Sequence, residues 1–275
     1  MAIDKLKIAS AIKLCVLGFY LVYFIGFNTS LNIYLPASRN SDASIKENLI
    51  GDYCLLIMGG SNVQQGISAQ LLSENICPTL NLAINSEMAY FSSYHNWLAK
   101  TLKNRKYKYA IYSPIILWAY KSTVNDNPNY IDFPKVPLFT QLKNITIDPK
   151  SIFSLRGDIE SYQCNSKINS YNIKEVDFIN SNVVITQEIS QRLSMLGNVA
   201  SGNSIYVRVP PVYVKTINQA EIYQRLMGER IRMLKGLGVK VVGTTLVSTD
   251  SSLFCDAFHP NAKGREVFSK EIKLP

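Results

Sequence analysis

Five short apolar runs, each ahead of a longer helical segment, constrain this chain more than any other feature. Residues 53–58 read Tyr-Cys-Leu-Leu-Ile-Met, without charge and without polar alternation. A strand buried on both faces needs that composition. The same reading predicts strands over 79–84, 107–112, 204–209 and 239–242, and helices over 63–72, 88–102, 184–196, 217–237 and 261–272. Strands alternating with helices imply an α/β fold, a parallel sheet with helices on both faces. Residues 121–180 break the pattern. They are polar, rich in Pro and Asn, and weakly periodic, which predicts an insertion of loops and short helices capping a site. No internal repeat or low-complexity tract is apparent.

The N-terminus has a different character. Lys5, Lys7 and Lys13 precede an uncharged stretch over 14–35. A membrane helix needs about 20 mostly apolar residues. The stretch reaches that length if Asn28, Thr29, Ser30 and Asn32 lie at the far interface. Positive residues before a span hold the N-terminus in the cytoplasm and send the rest of the chain across. Cleavage of the stretch as a signal peptide is the rival reading, but Asn28-Thr29-Ser30 makes a poor small-residue cleavage site. The expected organisation is a cytoplasmic head and single anchor over 1–35, a polar linker over 36–49 and a globular domain over 50–275. The expected place is the cytoplasmic membrane, with the domain periplasmic or extracellular.

Within the domain, two segments carry chemistry. In a parallel sheet, ligands sit beyond the carboxyl ends of the strands. Gly59-Gly60-Ser61-Asn62 stands there, where the first strand turns into a helix. The glycines permit a tight turn, and amides near a helix start suit a developing oxyanion. Asp256-Ala257-Phe258-His259 stands there too, before the last helix. A carboxylate three residues ahead of an imidazole can hold one ring nitrogen and leave the other free to take a serine proton. Each segment alone also has a purely structural use. Ser61-Asn62 could cap a helix, and Asp256 could cap a turn.

Together, a serine after the first strand and Asp-x-x-His before the last helix resemble the blocks of the SGNH/GDSL hydrolase family. The resemblance runs over about 52–272, apart from the insertion. It implies a three-layer α/β/α sandwich, with Ser61 as nucleophile, His259 as base and Asp256 orienting the base. It implies an oxyanion hole from the amides of Ser61 and Ser86. Asn81-Leu82-Ala83-Ile84-Asn85-Ser86 occupies the second block, with Ser86 where the family has glycine. The third block supplies an asparagine side chain in the family, and Tyr112-Ser113-Pro114 offers none. Asn62 and Asn85 are the nearest substitutes in sequence. Losing one such donor costs about 100- to 1000-fold in rate.

The expected activity is therefore serine ester hydrolysis or O-acyl transfer on acyl esters, acetyl above all, of cell-surface polysaccharide. The alternative is a weak or inactive glycan-binding component beside a membrane acyltransferase. A third possibility is a basic surface protein that binds anionic polymer by charge alone. No cofactor or metal is implied, since the chain has neither CxxC nor a Cys/His ligand spacing. The net charge of +9 comes without a nucleic-acid recognition motif. The run Lys100, Lys103, Arg105, Lys106, Lys108 reads as a solvated helix end, and no nucleic-acid partner is expected. His95, one of two histidines, reads as packed or surface rather than catalytic. Tyr90, Phe91, Tyr94 and Trp97 read as core before sugar cleft. Cys54 reads as a small apolar residue inside a strand. Exported cysteines leave room for a disulfide whose partners the sequence does not assign.

Overall fold

The structure is a computed structural model that describes residues 49–84, 91–103, 105, 107–121, 158, 164, 168–197 and 205–275, with Gly18 and Lys46. The chain divides into two units, Met1–Tyr34 and Leu35–Pro275. Apart from Gly18, the expected anchor lies outside the described residues. Among the described residues, no helix is long and apolar enough to cross a membrane.

The second unit is α/β with a parallel central sheet. Its strands are β1 (Leu55–Gly59), β2 (Thr79–Asn81), β3 (Tyr109–Ser113), β4 (Ile205–Arg208) and β6 (Lys240–Val242), in the order β2-β1-β3-β4-β6. All of its pairings are parallel. The five apolar runs of the sequence coincide with these strands, with ends that shift by up to three residues, β1 and β3 each running one residue further than expected. A two-stranded parallel pair, β5 (Val212–Tyr213) with β7 (Val247–Ser248), was not expected. Strands of two residues are too short for a period to register.

Alternate side chains along each strand enter different cores. Leu56, Met58, Ala110, Tyr112 and Ile205 share one core with α3 (Phe91–Thr101) and the end of α5 (Asn182–Leu196). Leu55, Ile57, Ile111 and Tyr206 share another with α1 (Ser61–Gly66) and α2 (Ala69–Asn75). Val207 packs with α6 (Ile217–Gly236), α5 and Phe178 of α4 (Glu175–Asn180). Helix α7 (Ala262–Lys270) lies against α1 and α2. Helices thus cover both faces.

Residues 63–72, expected as one helix, form parts of two. Ile67 is extended at φ −130° and ψ 133°, and Ser68 caps the N-terminus of α2 by accepting from Leu71 N–H. The cause lies far away in sequence. Asp158 accepts from the N–H groups of Ala69 at 2.9 Å and Gln70 at 3.1 Å, and from the Ser68 hydroxyl at 3.2 Å. Asp158 also accepts from the Asn81 side chain at 3.2 Å. Lys46, inside the stretch read as linker, is fully buried and donates to the carbonyls of Asn81 and Ala83. A buried asparagine at the end of β2 therefore has a charged partner on each side.

Cys54 stands just before β1 rather than inside it, and is bonded to Cys77. A second disulfide joins Cys164 to Cys255. The reading of Cys54 as a mere apolar filler is therefore corrected.

Candidate active site

Strand β1 delivers the serine. Gly59 has φ +145°, and an added Cβ would meet Val63 Cγ2 at 2.6 Å and the Ser113 carbonyl at 2.8 Å. Only glycine fits, because the chain turns there in a conformation closed to other residues and against the end of β3. Tyr94 locks the same turn. Its hydroxyl accepts from Gly59 N–H and donates to the Leu82 carbonyl, both at 3.1 Å. Gly60 then caps α1, and Ser61 is that helix's first residue, partly exposed.

A closed turn delivers Asp256 and His259. Phe254 and Pro260 form an antiparallel bridge, and Cys255 N–H donates to the His259 carbonyl at 2.7 Å. Between them, Asp256 Oδ1 accepts from the N–H groups of Phe258 at 2.8 Å and His259 at 2.9 Å. Tyr213 of β5 donates its N–H to the Ala257 carbonyl at 2.9 Å, fixing the turn to the small sheet. On its other side the turn meets α7. An added Cβ at Gly264 would lie 2.0 Å from the Leu253 carbonyl, so only glycine allows that approach.

The three sequence-predicted catalytic residues come together. Ser61 Oγ lies 2.9 Å from His259 Nε2 across 198 residues of sequence. His259 Nδ1 lies 2.7 Å from Asp256 Oδ2 and 2.9 Å from Oδ1. With Nδ1 protonated, the ring donates to the carboxylate and Nε2 accepts from the serine hydroxyl. The Asp256 and His259 side chains are 36% and 24% exposed, so the pair is open to solvent on one side. Partial burial pushes the Asp256 carboxyl up. The hydrogen bond and charge of His259, with the two backbone N–H groups, outweigh that and hold it below its ordinary value.

The oxyanion candidates divide. The Ser61 amide stands at the start of α1, beside the hydroxyl it would serve. Asn62 is buried, and its side-chain amide points at the Ser113 carbonyl at 3.4 Å, toward the end of β3. Asn85 and Ser86 lie outside the described residues. Ser113, at the end of β3, is fully buried, with a hydroxyl that meets no partner among the described residues.

The contacts of His95 lie elsewhere. Its Nε2 bonds the Met195 carbonyl at 3.0 Å and its ring stacks with Phe91. Phe91, Tyr94 and Trp97 are core residues, as expected, and Tyr90 lies outside the described residues. The insertion reaches the turn that carries Asp256 and His259 through Cys164, bonded to Cys255, and Tyr171, while Asp158 meets α2 and Asn81. Tyr171 N–H donates to the Tyr213 carbonyl at 2.8 Å, and its ring meets Phe258 edge-on at 4.9 Å. Those contacts were not legible in the sequence, although a lone asparagine in an apolar strand signalled that Asn81 needed polar partners. Among the described residues no group of His, Cys, Asp and Glu could hold a metal ion. Comparison with protein-family models, with curated proteins and with solved structures finds no match to this chain.

Proposed function

We propose that this chain is a serine ester hydrolase or O-acyltransferase of the SGNH/GDSL type. Its substrates are acyl esters, acetyl above all, of cell-surface polysaccharide outside the cytoplasmic membrane. The reading is carried by one observation, the continuous hydrogen-bonded line from Ser61 Oγ through His259 to Asp256. The turn after β1, together with the closed turn that β5 holds, brings the two segments together and supports it. The substrate class rests on the family resemblance. Two disulfides among the described residues suit an exported domain.

In this reading Ser61 Oγ attacks the ester carbonyl as its proton passes to His259 Nε2. The Asp256 carboxylate stabilises the cationic ring and keeps it oriented. The ring then gives the proton to the departing alcohol, leaving an acyl group on Ser61. Water or a sugar hydroxyl, deprotonated by the same nitrogen, takes the acyl group and restores the serine. The Ser61 amide, with Ser86 as the expected second donor, holds the oxyanion.

A serine-reactive fluorophosphonate should label the protein at Ser61, and Ser61→Ala and His259→Ala should each abolish labelling and turnover of an acetylated polysaccharide. Both variants should stay folded, since neither side chain is part of an apolar core. Full turnover by Ser61→Ala would sink the reading. One observation favours the non-enzymatic alternative, a glycan-binding component beside a membrane acyltransferase. The Asn62 amide is drawn to the Ser113 carbonyl, and no asparagine follows β3 to replace it. That alternative predicts glycan binding without labelling.

A further inference from the structure

Two disulfides close the described domain, and they occupy different places on the sheet. Cys54–Cys77 joins the residues just ahead of β1 and β2, at the edge where those strands begin. Cys164–Cys255 ties the insertion to the turn that carries the base. Cys255 is 2% exposed, directly precedes Asp256, and pairs through its N–H with the carbonyl of His259. The covalent link therefore reaches the two acid–base residues through one peptide bond and one hydrogen bond. Cys164, by contrast, is exposed.

We infer that the Cys164–Cys255 disulfide is a positioning element for the Asp256–His259 pair, and that the chain reaches full acyl-transfer competence only when this bond is formed. The inference rests on the proposed function. The turn stands half open to solvent and hangs between the Phe254–Pro260 bridge and the Tyr213–Ala257 hydrogen bond. Those two contacts preserve the fold of the turn without the disulfide. Pro260 also packs against Gly66 of α1, but none of these contacts is covalent. The disulfide adds a covalent attachment, and the insertion that it grips is itself fastened by Asp158 to α2 and by the Tyr171 N–H to the Tyr213 carbonyl. A misplacement of about 1 Å in a reacting group can cost about 100-fold in rate. Reduction by a dithiol would add two electrons and two protons across the S–S bond, giving two thiols, while the dithiol closes to its own disulfide.

The test compares three proteins, the oxidised wild type, Cys164→Ser/Cys255→Ala and Cys54→Ser/Cys77→Ala. Two readouts are taken on each. The first is the NMR signal of the His259 Nδ1 proton and its response to pH, assigned with His95→Gln because the chain has only two histidines. The second is the fluorophosphonate labelling rate at Ser61. Removing Cys164–Cys255 should broaden or shift the ring-proton signal and slow labelling about tenfold or more, with native circular dichroism retained. Removing Cys54–Cys77 should lower thermal stability and leave both readouts near wild type. An unchanged ring-proton signal and pH response in Cys164→Ser/Cys255→Ala overturns the inference. If the signal changes but even the wild type resists labelling, the positioning role stands and the acyl-transfer reading falls.

Discussion

At the scale of single residues, the site assembles because a few side chains leave no choice of conformation. Gly59 admits the turn that exposes Ser61, and Tyr94 holds it from below. Ser61, Asp256 and His259 were legible because their chemistry is specific, with a serine in a glycine turn and a carboxylate three residues before one of two histidines. The fate of Asn62 was not legible. Its direction depends on the Ser113 carbonyl, which the folding of β3 brings beside it. The Asp256 pairing has a thermodynamic signature. Its carboxyl lies below its ordinary value in the folded state, so the unfolded chain takes up a proton first as the pH falls. The stabilisation is present above the ordinary carboxylate value of about 3.9 and is lost as the pH drops through the lower folded value. Urea unfolding of wild type and Asp256→Asn should show a difference in midpoint near neutral pH that narrows through that acidic window. A difference that stays constant down to pH of about 2 would mean that the pairing adds no stability.

At the scale of elements, strands were easier to read than the breaks between helices. Each main-sheet strand is an uninterrupted apolar run, so its own composition announces it. The break between α1 and α2 has only a weak local sign, Gly66 followed by the capping Ser68, which the apolar periodicity through Ile67 masks. It is imposed by Asp158, which gathers the N–H groups at the start of α2 and the side chain of Asn81. Arg230 plays a comparable part on the other face. Fully buried, it donates to the carbonyls of Leu117, Ala119 and Phe178 and to the side chains of Ser181 and Asn182, joining α6 to the start of α5. Burial pulls the pKa of its guanidinium down to about 9, against an opposing pull from Tyr171. For Asp158→Ala, the loss of a cap and of the partner to buried Asn81 should cost about 2–4 kcal/mol. A urea midpoint lowered accordingly, with β-sheet signal intact in the folded baseline, is the expected result. No loss of stability would show that Ser68 alone caps α2.

At the scale of the whole molecule, the proposed placement makes the N-terminal stretch and the disulfides parts of one account. A basic head ahead of an uncharged run orients a chain with its body outside the cytoplasm. A periplasm-dependent reporter fused after Pro275 should therefore be active, and activity only of a cytoplasmic reporter would refute the topology. The order of the triad along the chain has a further consequence. Ser61 opens the helix that follows β1, whereas its partner His259 arrives 198 residues later, just before α7. On the proposed reading, a polypeptide that emerges from its N-terminus carries a serine without its proton acceptor for nearly the whole of its emergence. The serine gains that acceptor only when the final turn folds back beside α1. The order of the sequence itself then delays attack on whatever esters the emerging chain meets.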